Sequence, residues 1–248
     1  MDRAEPKTLV AIATYNERDN LRPLIAEIHR FAPHVDVLVI DDNSPDGTGA
    51  IADELVREDP RVHVMHRTGK LGLGTAILAG MRYGIEKNFD ILVTMDADFS
   101  HHPRDIPAVL AGMSDHEIMI GSRYVPGGGT VNWPASRRFM SWSVNTLCRT
   151  LMRLPSKDCS GGFRAYNVPL LRGTDFSNML SRGYSFQEEV LLLCYLQGAR
   201  IGETPIIFED RRLGVTKANL KEMVRSTSIL VWLGMKATLG LSKKKVRP

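Results

Sequence analysis

The chain has 248 residues, 43% of them hydrophobic and 24% charged, with a formal net charge of +4. That is enough apolar material for one α/β domain with a buried core, and it excludes a disordered tail, a collagenous rod and an integral membrane bundle. The charge is unevenly placed: residues 1–122 carry 12 basic and 20 acidic side chains, residues 123–172 carry 8 and 1, and the last six residues add four cations. An acidic half joined to a basic strip suits a site where a metal and anions meet, so no nucleic acid is expected as a partner.

The N-terminus, Met1-Asp2-Arg3-Ala4-Glu5-Pro6, lacks the apolar core of a signal peptide. Residues 9–13 form a compact apolar run, the pattern of a parallel strand buried on both faces, and Leu21, Leu24, Ile25 and Ile28 follow at helical spacing. Residues 35–40 read as the next strand, ending at Asp41-Asp42, and the turn Ser44-Pro45-Asp46-Gly47 opens a second helix. A third strand is expected over 62–65. Gly72-Leu73-Gly74 then enters a helix over about 75–87; Ile77 stands where a dinucleotide fingerprint needs its third glycine, so a tight turn suffices. A fourth strand over 91–95 stops at Asp96-Ala97-Asp98. Repeated βα units give a parallel sheet flanked by helices, with ligands beyond the carboxyl ends of its strands.

Two carboxylates one residue apart at a strand end can face one hard cation whose shell is completed by phosphate oxygens and water. His101 and His102 follow; adjacent histidines cannot both face one ion, so they are expected to cap or pack beside the site. Beyond residue 122 the alternation weakens. Helices are expected over 135–152 and 185–197 and a strand over 201–208. Arg137, Ser141 and Asn145 recur every four residues, a guanidinium, a hydroxyl and an amide on one helical face suited to phosphate. The loop Asp210-Arg211-Arg212-Leu213-Gly214-Val215-Thr216-Lys217 reads as one able to close over a diphosphate.

Cys148, Cys159 and Cys194 show no metal or redox spacing and are expected as reduced thiols in the cytosol. No stretch reaches the ~20 apolar residues of a membrane span. The last helix, about 218–239, has an uncharged run, residues 226–235, flanked by Lys221, Arg225 and Lys236. It suits either a membrane interface or packing on the domain, and the Lys-rich tail suits anionic headgroups.

Taken in order, Thr14-Tyr15-Asn16-Glu17, Ile40 to Thr48, Gly72 to Ala76, Met95 to Pro103, Gly121 to Tyr124, Gly161 to Tyr166, Gly183 to Gln187 and Asp210-Arg211-Arg212 with Gly214, Thr216 and Lys217 resemble the polyprenyl-phosphate sugar transferases of inverting glycosyltransferase family 2, above all the dolichol-phosphate mannose synthases. The resemblance implies a single Rossmann-like GT-A domain with a mostly parallel sheet over residues 1–217, and an amphipathic interfacial helix with basic tail, 218–248, belonging to the same domain. It implies an inverting transfer of mannose from GDP-mannose to a polyprenyl (dolichyl) phosphate, with a divalent cation (Mg or Mn), at the cytoplasmic face of a membrane; a membrane-anchored partner stays open.

The resemblance also assigns residues. Ala13, Tyr15, Glu17, Ile40, Asp42, Met95 and Ala97 would hold the nucleotide, and Asp96 and Asp98 the metal on the diphosphate. Arg123, Arg211 and Lys217 would contact phosphates or sugar, Arg137 and Ser141 would receive the lipid phosphate, and Asp98, Arg123 and Arg211 would carry the chemistry. Ala13 stands where relatives usually have Pro, and Cys159-Ser160-Gly161-Gly162 departs from the usual pattern before Phe163-Arg164. The rival readings are a UDP-glucose-dependent glucosyltransferase, a metal-dependent phosphatase with Asp96 as nucleophile, and a non-catalytic nucleotide- or lipid-binding module.

Overall fold

The structure is a computed structural model that describes residues 5–181, 183, 185–210 and 220–238. Strands and helices alternate through the first half: β1 (Thr8–Thr14), α1 (Arg18–Phe31), β2 (Asp36–Asp41), α2 (Thr48–Glu58), β3 (Val62–His66), α3 (Leu73–Glu86) and β4 (Ile91–Asp96). The second half holds α4 (Ile106–Ala111), β5 (Ile118–Ser122), β6 (Gly129–Val131), α5 (Ala135–Met152), β7 (Arg164–Asn167), α6 (Val168–Arg172), α7 (Phe186–Leu196), β8 (Ile201–Pro205), β9 (Ile207–Glu209) and α8 (Leu220–Thr238).

Seven strands form one sheet in the order β3-β2-β1-β4-β7-β5-β8, and β6 pairs β9 in a small parallel sheet. The apolar runs are buried on both faces, as in any sheet covered by helices on each side. One core lies between the sheet and α1, α2 and α4; the other gathers residues of α3, α5, α6, α7 and α8. The expected alternation is therefore found, with one difference. Strand β7 enters between β4 and β5 and runs antiparallel to both, Arg164 standing opposite Thr94 and Ile120. Its four residues are too short to announce themselves by periodicity, and only the gap between two parallel strands gives them a place. The strand expected over 201–208 is broken at Ile206 into β8 and β9, which join different sheets.

Register decides where the site lies. Ala13 is level with Ile40 on one side and with Asp96 on the other, so three carboxyl ends of neighbouring parallel strands finish in one row. Gly72 opens α3 at φ 96°, a left-handed conformation that favours glycine, and a Cβ on Gly74 would lie 2.6 Å from the Phe186 ring. The turn expected at Gly72-Leu73-Gly74 thus also lets α7 close onto α3.

Helix α8 divides its surface. Leu230 and Leu233 are buried, a Cβ on Gly234 would lie 2.5 Å from Leu151 of α5, and Val231, Trp232 and Met235 are exposed. One face of the helix packs on the domain, and the opposite face is exposed. All three cysteines are buried free thiols whose ionisation burial opposes.

Candidate active site

A cavity at the strand ends is lined by Ala11, Ala13, Ile40, Leu73, Ile77, Thr94, Met95, Asp96 and Gly162. Three of the residues assigned to the nucleotide, Ala13, Ile40 and Met95, therefore meet Asp96, assigned to the metal, in one place. The loop after β1 is held around them. Glu17 accepts from Asn20 Nδ2 at 2.8 Å and its N–H donates to Thr48 Oγ1 at 3.0 Å. Lys70 Nζ lies 4.0 Å over the half-buried ring of Tyr15.

The two aspartates ending β2 do different work. Asp41 anchors its own turn, accepting from Thr14 Oγ1 at 3.1 Å and from Ser44 Oγ at 2.5 Å. Asp42, buried, accepts from Arg67 Nη1 at 2.6 Å and from the Leu71 N–H at 3.2 Å. Sequence reading gave no role to Arg67, which also donates to Thr75 Oγ1 at 2.6 Å and so ties β3 to the start of α3.

After β4 the chain makes a tight turn. Phe99 takes φ 62°, a backbone conformation bulky residues rarely adopt, and Ser100 folds back so that its N–H donates to Asp98 Oδ1 at 3.0 Å and its hydroxyl bonds the same oxygen. The Asp96 side chain is 33% exposed, while Asp98 is buried. Among the described residues no group of three His, Cys, Asp or Glu gathers as a closed metal cage. Two carboxylates, with the neighbouring His101 Nδ1 already taken by the Asp96 N–H, fit a hard divalent cation that takes its remaining oxygens from a diphosphate and water.

The histidines pack and cap, as expected. His101 is fully buried between Phe163 and Phe208, at centroid distances of 5.5 and 5.1 Å, and its Nδ1 accepts the Asp96 N–H at 3.1 Å. Burial lowers its pKa against the pull of Asp96 and Asp98, so the ring is neutral and carries its proton on Nε2. His102 caps the next turn by accepting from the Arg104 N–H at 3.1 Å.

Two of the eight cations of the basic strip, Arg123 and Arg164, turn inward. Arg123, expected on a phosphate, forms a buried pair with Asp158: Nε to Oδ2 at 2.7 Å and Nη2 to Oδ1 at 2.6 Å, with Nη2 also on Ser160 Oγ at 2.8 Å. The only acid of residues 123–172 thus takes this guanidinium, leaving its Nη1 donors as the part of the fork a ligand could use. Burial pushes the Asp158 pKa up, but the charge and hydrogen bonds of Arg123, with the charge of Arg164, bring it below the ordinary carboxylate value, so the carboxylate stays ionised. Arg164 is wholly buried and donates to the carbonyls of Gln187, at 2.7 Å, and Cys159, at 2.5 Å. Asn145, expected in a phosphate-binding row, faces inward: its Oδ1 accepts the N–H groups of Cys159 at 2.7 Å and Ser160 at 3.1 Å. The four-residue spacing was real, but α5 points that face partly at the 156–161 loop.

Arg137 lies 4.1 Å over the Trp133 ring and pairs with Asp210 at 2.8 Å, and Ser141 is half-buried one turn further on. Arg211 and Lys217 lie outside the described residues, as does the basic tail.

Sequence reading missed Gln187, Glu188 and Glu189 as an acidic and amide cluster at the start of α7, because three polar residues before an apolar run resemble an ordinary first turn. Glu189 accepts the Leu180 N–H at 3.0 Å and the Ser181 N–H at 2.7 Å. Burial pushes the Glu188 carboxyl up to about 7 from an ordinary 4.5, against the pull of Arg164. The folded state therefore binds the extra proton between pH 4.5 and 7. This contribution to stability is full below 4.5 and is lost as pH rises through 7, about 3 kcal/mol in all. Glu188→Gln is expected to be about equal to the parent at pH 4.5 and more stable at pH 8 in urea titrations; parallel curves would exclude the effect.

The profile of Glycosyl transferase family 2 matches residues 9–173. The chain is 42% identical over 242 residues to the undecaprenyl-phosphate mannosyltransferase of Micrococcus luteus, covering 95% of this chain and 100% of that one. It is 45% identical over 225 residues to the polyprenol monophosphomannose synthase of Mycolicibacterium smegmatis, covering 89% and 85%. Among solved structures, glucosyl-3-phosphoglycerate synthase from Mycobacterium tuberculosis with Mn2+, UDP and glucosyl-3-phosphoglycerate superposes with a TM-score of 0.65 at 18% identity, over 95% of this chain and 81% of that one. A mannosyltransferase from Pyrobaculum calidifontis in complex with GDP-Man and Mn2+ gives 0.59 at 16%, over 95% and 65%. These two likenesses are of fold. The family match over most of the chain, with the near full-length relatives, settles descent: the chain belongs to glycosyltransferase family 2 and is a transferase of the GT-A fold.

Proposed function

We propose that the chain transfers mannose from GDP-mannose to a polyprenyl phosphate with inversion at the sugar. The observation that carries the reading is its near full-length identity to two enzymes named for polyprenyl-phosphate mannose synthesis. The donor identity rests on the resemblance of the strand-end segments.

In this reading the nucleotide lies across the row formed by Ile40, Ala13 and Asp96, with Asp42, fixed by Arg67, at its ribose end. Asp96 and Asp98 would hold a divalent cation on the diphosphate, which when bound supplies Lewis-acid stabilisation of the leaving group. Arg123, fixed by Asp158, brings its Nη1 donors to the charge that develops there, and Arg211 and Lys217 add to it. Arg137, braced on Trp133, and Ser141 would seat the acceptor phosphate. That phosphate is itself an anionic oxygen nucleophile at neutral pH, so a strong general base is not required. Attack from the face opposite the diphosphate inverts the anomeric centre.

The lipid end of the acceptor gives the outer face of α5 and α8 a partner. Phe139 is 68% exposed and Trp142 54%, on the helix that carries Arg137 and Ser141, and Trp232 is 45% exposed with Lys236 Nζ 5.1 Å over its ring. No helix among the described residues is long and apolar enough to cross a membrane. We place the protein at the cytoplasmic face of a membrane, with this aromatic and cationic surface in the interface. Phe139→Ser with Trp232→Ser is expected to weaken binding to anionic vesicles about fivefold or more, with turnover of a short-chain soluble acceptor within about twofold. Equal vesicle binding in a flotation assay would remove the surface from the mechanism.

The donor is tested by offering radiolabelled GDP-mannose and UDP-glucose with Mg2+ and a polyprenyl phosphate. Label in a mannosyl lipid is expected, and exclusive use of UDP-glucose would overturn the mannose reading.

A further inference from the structure

We propose that Gln187 reads a hydroxyl of the transferred sugar; the inference rests on the transferase reading above but not on which sugar is moved. Gln187 is the second residue of α7 and is 7% exposed. Its backbone carbonyl already receives Arg164 at 2.7 Å, yet the side-chain oxygen is buried with no hydrogen-bond partner among the described residues. A buried amide oxygen without a partner is unfavourable in the free protein, and no group among the described residues explains why the carboxamide stands there.

Its position supplies the reason. Gly162 has no side chain, and a Cβ built there would lie 3.6 Å from Gln187 Nε2, 3.7 Å from Asp96 Oδ1 and 3.7 Å from His101 Cε1. Gln187 Nε2 and the Asp96 carboxylate therefore front one opening, kept clear by a glycine, with the unpartnered oxygen at the other end of the same amide. Across the sheet the order of strand ends is β2, β1, β4, β7. Ile40 and Ala13 mark the nucleotide side, Asp96 the diphosphate, and Gly162 and Gln187 lie beyond it. A nucleotide-sugar laid along this row carries its sugar on the far side of the diphosphate, beside Gln187.

The chemistry agrees with the place. Next to the Asp96 carboxylate, a neutral amide is a poor receiver for a phosphate, whereas a hydroxyl both donates and accepts and so satisfies whichever end of the carboxamide turns to it. A pocket that leaves an amide unpaired until a hydroxyl arrives also discriminates against a sugar that lacks it.

The test uses the full chain with Mg2+, scored on whichever nucleotide-sugar the parent enzyme turns over. Gln187→Met keeps the length of the side chain and removes both polar ends. It is expected to raise the melting temperature by roughly 2–4 °C, because an unpaired amide is gone, while lowering kcat/KM about tenfold. Calorimetric binding of the free nucleoside diphosphate and of Mg2+ is expected to be unchanged, and the loss should vanish on the deoxy-sugar donor that lacks the hydroxyl concerned. Equal weakening of the nucleoside diphosphate or of Mg2+ would reassign Gln187 to the diphosphate or cation and overturn the proposal. So would a fall in melting temperature with no change in kcat/KM. A parent enzyme that turns over no nucleotide-sugar would instead refute the transferase reading on which this one stands.

Discussion

Asp98→Asn is expected to lower sugar transfer by about three orders of magnitude while leaving the fold in place. The substitution keeps the shape of the side chain and an oxygen for Ser100, whose N–H donates to Asp98 Oδ1 at 3.0 Å, so the turn through Phe99 survives. What it removes is the negative charge. An amide oxygen is a weak ligand for a hard cation, and with only Asp96 beside it the site would hold the cation through one carboxylate. Steady-state transfer with saturating donor, alongside a thermal melt, checks both halves. Activity within tenfold of the parent would show that Asp98 does not hold the cation, and a large fall in melting temperature would show that its work is structural.

The largest effect on stability is expected at Asp158. Its carboxylate is 0% exposed and accepts two side-chain bonds from Arg123, at 2.7 and 2.6 Å, as well as the N–H groups of Arg123 at 3.0 Å and Gly161 at 2.9 Å. Asp158→Ala leaves a guanidinium that is 8% exposed without its counter-charge, which costs about 3–5 kcal/mol. Replacing both partners, Arg123→Met with Asp158→Leu, removes the stranded charge and is expected to recover most of that loss. Urea unfolding of the two variants checks the argument. If the double variant is as unstable as the single one, the loop contacts to Gly161 rather than the ion pair hold this region. Recovery of stability without recovery of transfer is the expected outcome, since Arg123 is also the cation that faces the diphosphate in the proposed mechanism.

The first half of the molecule was readable from its sequence because each element carries its own signal. Residues 9–13 are apolar throughout, which is the mark of a strand covered on both faces, and the four leucines and isoleucines of α1 recur at helical spacing and are all buried. Asp96-Ala97-Asp98 stood out as a candidate site because an acidic pair at the end of a buried strand has no packing use. The histidine pair was read correctly for a related reason: two adjacent imidazoles cannot share one ion, and the structure turns one into the aromatic core and the other into a cap.

The second half resisted because its signals are non-local. Arg123 and Asn145 look like anion-binding groups when the chain is read alone, and Arg164 is one more cation of the basic strip. What each one does depends on Asp158, Gln187 and Cys159, residues whose proximity is created by the fold. Gln187 and Glu188 show the same limit. A Glu at the start of a helix is ordinary, and only burial of the first turn of α7 makes it a group that titrates near neutrality.

The sequence by itself determined the alternating α/β order, the strand ends that line the cavity, and the acidic pair, because hydrophobic period and chemical type are local properties of the chain. Tertiary structure alone decided the reversed insertion of β7 and which cations of the basic strip face inward. It also brought Asp96, Gly162 and Gln187 to one opening. Those outcomes depend on which distant residue shares a register or a cavity, and no spacing along the chain encodes that.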